Sequence, residues 1–141
     1  MPEFQLSKPF YNSHAYYALD DFAKGYIEAA FFTNGDTCGE NENLLNDLGV
    51  ERLTKKTVAK IANDCALFQK EAADLLNQAY QRDYDDSQAG RDFWFNRQGH
   101  GVGFWDRKEL EENELGEKLS EASKKFREAY FFVQNGWIYC E

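Results

Sequence analysis

The amino-acid sequence predicts a single α+β domain, residues 1–141, in which about three helices, one of them long, pack on a small antiparallel sheet of about four strands. Three observations lead to this prediction. Apolar residues recur at helical spacing in three segments, aromatic residues flank glycine-containing turns in two others, and a length of 141 residues suits one domain. We expect the two aromatic segments to form the two β-hairpins of the sheet.

The N-terminal part of the chain is predicted to be an extended arm followed by a helix. Residues 1–12 form the arm, and Ser13 can cap a helix that ends near the Asn34-Gly35 pair. The stretch 34–50 is polar and rich in turn-forming residues, which is typical of a long surface loop. Together with the helix that comes next, these residues make up a helical part that spans 13–82.

The clearest helical signal lies between residues 54 and 82. No Gly or Pro interrupts this stretch, and apolar residues recur every three or four positions from Val58 to Ala79, so one helix of roughly 28 residues is expected. We interpret the apolar stripe as core rather than as a coiled-coil dimer seam, because small Ala and Cys residues alternate with large ones as in close helix packing.

The C-terminal part, 92–141, is predicted to form a hairpin, a helix and a second hairpin. Aromatic residues fill both arms of 92–107 and glycines lie between the arms, which indicates a β-hairpin with an irregular tip. A third amphipathic helix is expected at 115–129, and Asn135-Gly136 between two aromatic runs is the strongest short signal for a hairpin. Because large amphipathic rings contribute most when covered, three residues are expected to be mostly buried on the sheet: Trp94, Trp105 and Trp137.

Acidic residues outnumber basic ones by 25 to 16, which gives a net charge of -9. Such a chain is repelled by phosphate backbones and by anionic membrane surfaces, so direct nucleic-acid binding and membrane binding are not expected. The acidity fits either plain solubility or a partner with a basic surface. The candidate surface for such a partner comprises the acidic residues of two short segments: Asp83, Asp85, Asp86, Glu109, Glu111, Glu112 and Glu114.

No motif for a cofactor, a metal ion or a known catalytic set is found in the sequence. The three cysteines form no CxxC pair, so neither a zinc site nor a disulfide framework is expected. No apolar run approaches the roughly 20 residues of a membrane helix, and the N-terminus lacks the basic head and apolar stretch of a secretory signal. We therefore expect a cytoplasmic protein without a cofactor.

The segment 92–107 is the candidate binding site. Its aromatic rings can stack on a planar ligand, its arginines can pair with a phosphate, and its glycines permit close approach of another backbone. In the alternative interpretation the rings fill the core and the arginines pair with Asp92 and Asp106. A catalytic His100 would need a second group, and a lone histidine rarely binds metal. The candidate binding residues are Phe93, Trp94, Arg97, Gly99, His100, Gly101, Trp105, Asp106 and Arg107.

The string DFWFNRQGHGVGFWDR at 92–107 resembles the signature of a group of short, acidic bacteriophage and prophage proteins, whose usual form is close to D-F-W-x-T-R-N-G-H-G-x-G-F-W-D-R. The resemblance extends more loosely over residues 18–141. Asn96 and Gln98 stand where Thr and Asn are usual, and both keep hydrogen-bonding ability. The resemblance brings no established catalytic activity. It implies a phage origin, and small phage proteins of this kind often bind and disable a host machine.

Three functions are compatible with these observations. The first is a phage-encoded interaction protein that inhibits a CRISPR effector or another host defence complex without catalysis. Its partner would be a host protein, or a protein–nucleic-acid complex, with a basic surface. The chain would bind this partner in the host cytoplasm as a monomer or a homodimer. The second is a binder of a nucleotide-like small ligand that uses the rings and arginines of 92–107. The third is an enzyme centred on His100.

Overall fold

The computed structural model describes residues 14–34, 48–99 and 101–141. Across these residues the chain is mostly helical, with five α-helices and one sheet of two antiparallel strands. The predicted fold class, three helices on a four-stranded sheet, is therefore wrong. The elements are α1 (Asp21–Asn34), α2 (Lys55–Glu71), α3 (Ala73–Tyr80), α4 (Asp86–Gln98), α5 (Leu115–Ser123), β1 (Phe131–Gln134) and β2 (Trp137–Cys140).

The first helix, α1, begins at Asp21, later than the sequence predicts. The carboxylate of Asp20 caps it, since Oδ1 accepts a hydrogen bond of 2.8 Å from the backbone N–H of Ala23. A short 3₁₀ helix, Ala15–Ala18, precedes this cap. The predicted cap Ser13, the arm at 1–12 and most of the predicted loop lie outside the described residues.

The predicted long helix is divided into α2 and α3. Thr54 caps α2, because its Oγ1 accepts a hydrogen bond of 3.1 Å from the N–H of Thr57. At Ala72 the backbone leaves the helical region, with φ -102° and ψ 20°, and α3 follows directly. The prediction that the apolar stripe is core is confirmed, because its residues are buried within the molecule, apart from the half-buried Leu75: Val58, Ile61, Cys65, Phe68, Ala72 and Ala79.

Helix α4 occupies the place of the first arm of the predicted 92–107 hairpin. Asp85 caps its start by accepting a 2.9 Å hydrogen bond from the N–H of Gln88, and Gly99 ends it in the left-handed region at φ 70°. The residues of the second arm form a 3₁₀ turn, Phe104–Asp106, instead of a strand. The hairpin prediction is wrong because helix caps at both ends outweigh the strand preference of the aromatic residues between them.

Helices α1 and α4 cross at two glycines. A Cβ added at Gly90 on α4 would meet the carbonyl of Phe22 on α1, and one added at Gly25 on α1 would meet the carbonyl of Ser87 on α4. This close approach brings Phe22 and Tyr26 against Phe93, with ring centroids 6.0 and 5.5 Å apart. Phe68 of α2 completes the cluster by stacking on Phe93 at 4.3 Å.

The second hairpin, β1–β2, is confirmed. Phe132 pairs with Tyr139, and the two-residue turn has Asn135 at φ 54° and Gly136 at φ 80°, as a type I′ turn requires. Ile138 lies in the core, and its carbonyl accepts a hydrogen bond of 3.2 Å from the N–H of Thr54, which joins β2 to the start of α2.

The tryptophans differ in their burial. Trp94 is fully buried, but on helix α4 rather than on a sheet, while Trp105 is 45% exposed and Trp137 is 41% exposed. The prediction that all three are buried on the sheet is therefore wrong. The third helix is shorter than predicted and ends at Ser123. Among the described residues, no helix has the length and apolar character needed to cross a membrane.

The α1–α4 crossing gives a first prediction. Gly90→Ala should lower the free energy of unfolding by about 1–3 kcal/mol, because the added methyl group must push the backbone of α1 away. Urea unfolding monitored by circular dichroism measures this change. Gly101→Ala is the matched control and should be nearly neutral, since a Cβ there meets nothing within 4 Å. Equal effects of the two substitutions would contradict the close crossing.

Candidate functional site

The two ends of the 92–107 segment meet in a buried ion pair. Asp92 lies on α4 and is fully buried. The guanidinium of Arg107 donates to both of its carboxylate oxygens, from Nη2 to Oδ1 at 2.6 Å and from Nε to Oδ2 at 3.0 Å. This two-point contact fixes the direction as well as the distance of the pair. It closes residues 92–107 into a loop.

Two further donors complete the surroundings of the Asp92 carboxylate. The hydroxyl of Tyr84 donates to Oδ2 at 2.6 Å, and Nε2 of Gln88 donates to Oδ1 at 3.2 Å. Burial, then the charge of Asp92, raise the pKa of Tyr84 far above its ordinary value. The hydrogen bond that Arg107 donates to Asp92 raises the pKa of Arg107. The buried charge is thus paired and fully hydrogen-bonded, as its burial demands.

The middle of the segment is held by the side chains of Asn96 and Asp106. Asn96 Oδ1 accepts a 2.8 Å hydrogen bond from the N–H of Phe104, and Asp106 Oδ1 accepts one of 2.9 Å from the N–H of Gly103. Gly103 has φ 156°, and a Cβ there would collide with the side chain of Asn96. The glycine is therefore required by a close approach inside the molecule.

Arg97 is also used inside the molecule. Its guanidinium lies beside the rings of both Phe93 and Phe126, 5.7 and 5.5 Å from their centroids. Its Nη1 donates to Asp64 at 3.0 Å and to the hydroxyl of Tyr26 at 3.1 Å. Burial opposes the charge, but these partners outweigh it and raise the pKa of Arg97. A ligand would have to displace these contacts to reach the guanidinium.

The candidate binding residues therefore divide into two groups. Phe93 and Trp94 are fully buried, and Trp94 Nε1 donates to Thr33 Oγ1 at 2.7 Å. The alternative interpretation is confirmed for these rings and for the pairing of Arg107 with Asp92. It is wrong for Asp106, which accepts from Gly103, while Arg97 pairs with Asp64. His100 lies outside the described residues. The second group consists of the four exposed candidates: Gly99, Gly101, Trp105 and Asp106.

The seven acidic residues of the candidate partner surface are all exposed. They belong to two segments, 83–86 and 109–114, which lie side by side because Arg82 Nη1 donates to the carbonyl of Glu112 at 2.9 Å. Among the described residues, none of the seven carboxylates has an ion-pair partner. We call these two segments the acidic edge.

The described residues contain no group of three or more His, Cys, Asp or Glu side chains placed to hold a metal ion. Burial raises the pKa of the Cys65 thiol well above its ordinary value and that of Cys140 to about 11. Both thiols are therefore protonated at neutral pH and are poor nucleophiles.

Comparison of the chain with protein-family models, with curated proteins and with solved structures finds no match.

Sequence reasoning misses three residues that shape the site. Tyr84 and Gln88 precede Asp92 by eight and four positions, in or just after a stretch from which only the acidic residues were assigned to a candidate surface. The i, i+4 spacing of Gln88 and Asp92 could have indicated a helical pair. Asp64 reaches Arg97 from another helix, and no local pattern reports that contact.

The buried pair gives a second prediction. Asp92→Ala should lower the free energy of unfolding by about 3–5 kcal/mol, because it leaves the half-buried guanidinium of Arg107 without its carboxylate. Chemical unfolding measures the change. Asp74→Ala, at an exposed helical position, is the control and should cost less than about 1 kcal/mol. A cost for Asp92→Ala as small as that of the control would show that the pair does not hold the loop.

The buried tyrosines give a third prediction. Burial raises the pKa of Tyr26 and Tyr84 far above the ordinary value and that of Tyr80 to about 12. In the unfolded chain these hydroxyls lose their protons from about pH 10, whereas in the folded chain they keep them. Their contribution to stability is therefore complete below about pH 10 and is lost as the pH rises beyond it.

Urea unfolding at several pH values from about 8 to 12 tests this expectation. The free energy of unfolding should fall with rising pH above about 10. Tyr84→Phe removes one of the three hydroxyls, so its curve should fall less steeply than that of the unsubstituted chain. Parallel curves for the two proteins would contradict the assignment to Tyr84.

Proposed function

We propose that this chain is a phage-encoded interaction protein that binds and inhibits a host defence complex, and that it does so through the acidic edge. The partner is a host protein, or a protein–nucleic-acid complex, with a basic surface, met in the host cytoplasm. Catalysis is not part of the proposal. The phage origin rests on the resemblance of residues 92–107, and the mode of action rests on the acidic edge.

The observation that carries the proposal is that Arg82 joins two segments with seven exposed carboxylates, none of which is in an ion pair among the described residues. The stretches 82–86 and 108–114 contain seven acidic side chains and two basic ones, Arg82 and Lys108. Arg82 holds the two segments together through the carbonyl of Glu112. An array of one sign of charge attracts a partner of the opposite sign and raises its association rate.

The acidic edge is also attached to the core at both of its segments. Tyr84, which lies between Asp83 and Asp85, is buried and donates to Asp92. Arg107, which comes just before the second segment, donates to the same carboxylate. A charge array fixed in this way loses little conformational entropy on binding, and this lowers the cost of association.

The contacts of 92–107 favour this proposal over a nucleotide-like ligand at that segment. A planar ligand needs an accessible ring, and of the three candidate rings Phe93 and Trp94 are buried, so that only Trp105 is exposed. The positive charges that would attract a phosphate are already balanced, because Arg97 pairs with Asp64 and Arg107 pairs with Asp92. Asp92 and Arg107 thus support the acidic edge from within the molecule.

The proposal is tested with bacteria that carry an active defence system and are challenged with a sensitive phage. Expression of the chain should restore plaque formation, and the purified chain should bind a component of that system. The double variant Glu111→Gln/Glu112→Gln should lower the association rate constant by roughly tenfold at low salt. The matched control, Glu71→Gln/Glu128→Gln, removes two exposed carboxylates elsewhere and should bind normally.

Two results would contradict the proposal. The first is equal weakening by the two double variants, because it would assign the effect to net charge instead of to the acidic edge. The second is that the bacteria stay resistant to the phage in every defence background tested. Salt provides a further check, since the difference between the edge variant and the unsubstituted chain should shrink as ionic strength rises.

A further inference from the structure

The outer face of the β1–β2 hairpin carries four aromatic rings. Alternate residues of paired strands share a face, so the paired residues Phe132 and Tyr139 lie on the face of the ribbon opposite to the buried Ile138. Their rings stack at 5.3 Å with planes 13° apart. Trp137 and Tyr130 lie on the same side and are 41% and 57% exposed. Phe132 and Tyr139 are half-buried, so two exposed and two half-buried rings form one aromatic patch on this side of the hairpin, and such a patch is typical of a binding surface.

Basic side chains border these rings. The guanidinium of Arg52 lies 5.0 Å from the ring centroid of Trp137, and Lys55 and Lys56 are the first two residues of α2, which joins β2 through Thr54. Among the described residues, no carboxylate forms an ion pair with any of these three cations. In a chain of net charge -9, this surface thus offers three exposed cations outside any ion pair of the described residues.

Two cavities open on this surface, and the ring of Tyr139 lines both. The larger, of about 400 Å³, lies by Trp137, Tyr139 and Lys55. The smaller, of about 270 Å³, lies by Tyr139, Lys56, Lys60 and Glu141, and Lys60 pairs with Asp64. Trp137 and Tyr139 are two positions apart on one strand, so their side chains start about 7 Å from each other, which leaves room for one planar ring between them.

We propose that this surface, the ring–lysine face, binds a nucleotide. The base stacks on Trp137 and Tyr139, and the phosphate is bound by Lys55, Lys56 and Arg52. Stacking on an aromatic side chain accepts any base, because every base has a π face. The start of α2 adds its own preference for an anion, since Thr54 and Lys55 line the larger cavity.

The charges around the rings decide between classes of ligand. A cationic or neutral planar ligand would gain nothing from three unpaired cations, whereas a phosphate gains from each of them. A long nucleic acid would meet the repulsion of the net charge of -9, so the ligand is a free mononucleotide or the end of a single strand. This surface shares no residue with the acidic edge, and the inference is independent of the proposed function.

Calorimetric titration of the full chain with AMP, adenosine and inorganic phosphate tests the inference. AMP should bind at least about tenfold more tightly than either of its halves, because only AMP uses both the rings and the cations. Binding of phosphate as tight as that of AMP would reduce the site to an anion site and would overturn the proposal. The absence of heat with AMP at millimolar concentration would overturn it as well.

Variants assign the binding to the ring–lysine face. Trp137→Ala should weaken AMP binding by about tenfold, and Trp137→Phe should retain most of it, because a ring remains for stacking. Trp105→Ala is the matched control, since Trp105 is exposed to a similar extent but lies elsewhere, and it should leave the affinity unchanged. Circular dichroism spectra show whether each variant folds. A folded Trp137→Ala protein with normal affinity would overturn the proposal.

A last comparison distinguishes the two sources of the ligand. A single-stranded tetranucleotide that binds more than about tenfold more tightly than AMP identifies the end of a strand, whereas equal affinity identifies a mononucleotide. Both results support a nucleotide at this face. A heparin fragment has the negative charge of the tetranucleotide without bases. If it binds as tightly as the tetranucleotide, the rings contribute nothing and the proposal is wrong.

Discussion

The carboxylate of Asp92 is the contact on which the rest of the described structure depends. A charge buried this completely destabilises the folded chain unless donors surround it, and Asp92 accepts from Tyr84, Gln88 and Arg107. These donors come from the loop before α4, from α4 itself and from the far end of the 92–107 segment. Any arrangement that moves one of these parts leaves a buried charge or a buried donor unsatisfied. A single side chain thus determines how three stretches of the chain meet.

This constraint explains how like charges are kept together at the acidic edge. Exposed carboxylates repel one another, and unrestrained loops would separate them. Each acidic segment adjoins a residue that donates to Asp92, namely Tyr84 in the first segment and Arg107 before the second. Three residues of the edge region adopt positive φ without being glycine, Asp83, Asn113 and Glu114, which indicates backbone held in place by its surroundings. The contacts to Asp92 therefore hold the two acidic segments in place against the mutual repulsion of their carboxylates.

The parts of the structure that the sequence predicts correctly are those governed by local rules. Asn135-Gly136 determines its hairpin, and the apolar stripe of α2 and α3 is core as expected. The predicted 92–107 hairpin does not form, because Asp85 and Gly99 cap a helix between them although its aromatic residues favour a strand. The break between α2 and α3 at Ala72 has no Gly or Pro near it that could have predicted it. At the site, the pairing of Asp92 with Arg107 is one of two interpretations that the sequence leaves open. The contacts of Tyr84 with Asp92 and of Asp64 with Arg97 join segments that only the tertiary structure brings together.

Helix α4 connects the two proposed surfaces. Its buried Asp92 determines where the acidic edge lies, and its last two residues determine where the hairpin begins. Arg97 Nε donates to the carbonyl of Arg127 at 2.8 Å, and the amide of Gln98 forms two hydrogen bonds, of 2.7 and 2.9 Å, with the backbone of Ala129. These contacts hold the chain just before β1, and β2 in turn places its rings beside the cations of α2. Since salt screens charges beyond about 8–10 Å, surfaces of opposite sign can coexist on one small chain when they are held apart. The residues of the phage-like resemblance that lie on α4 thus position both surfaces from within the molecule.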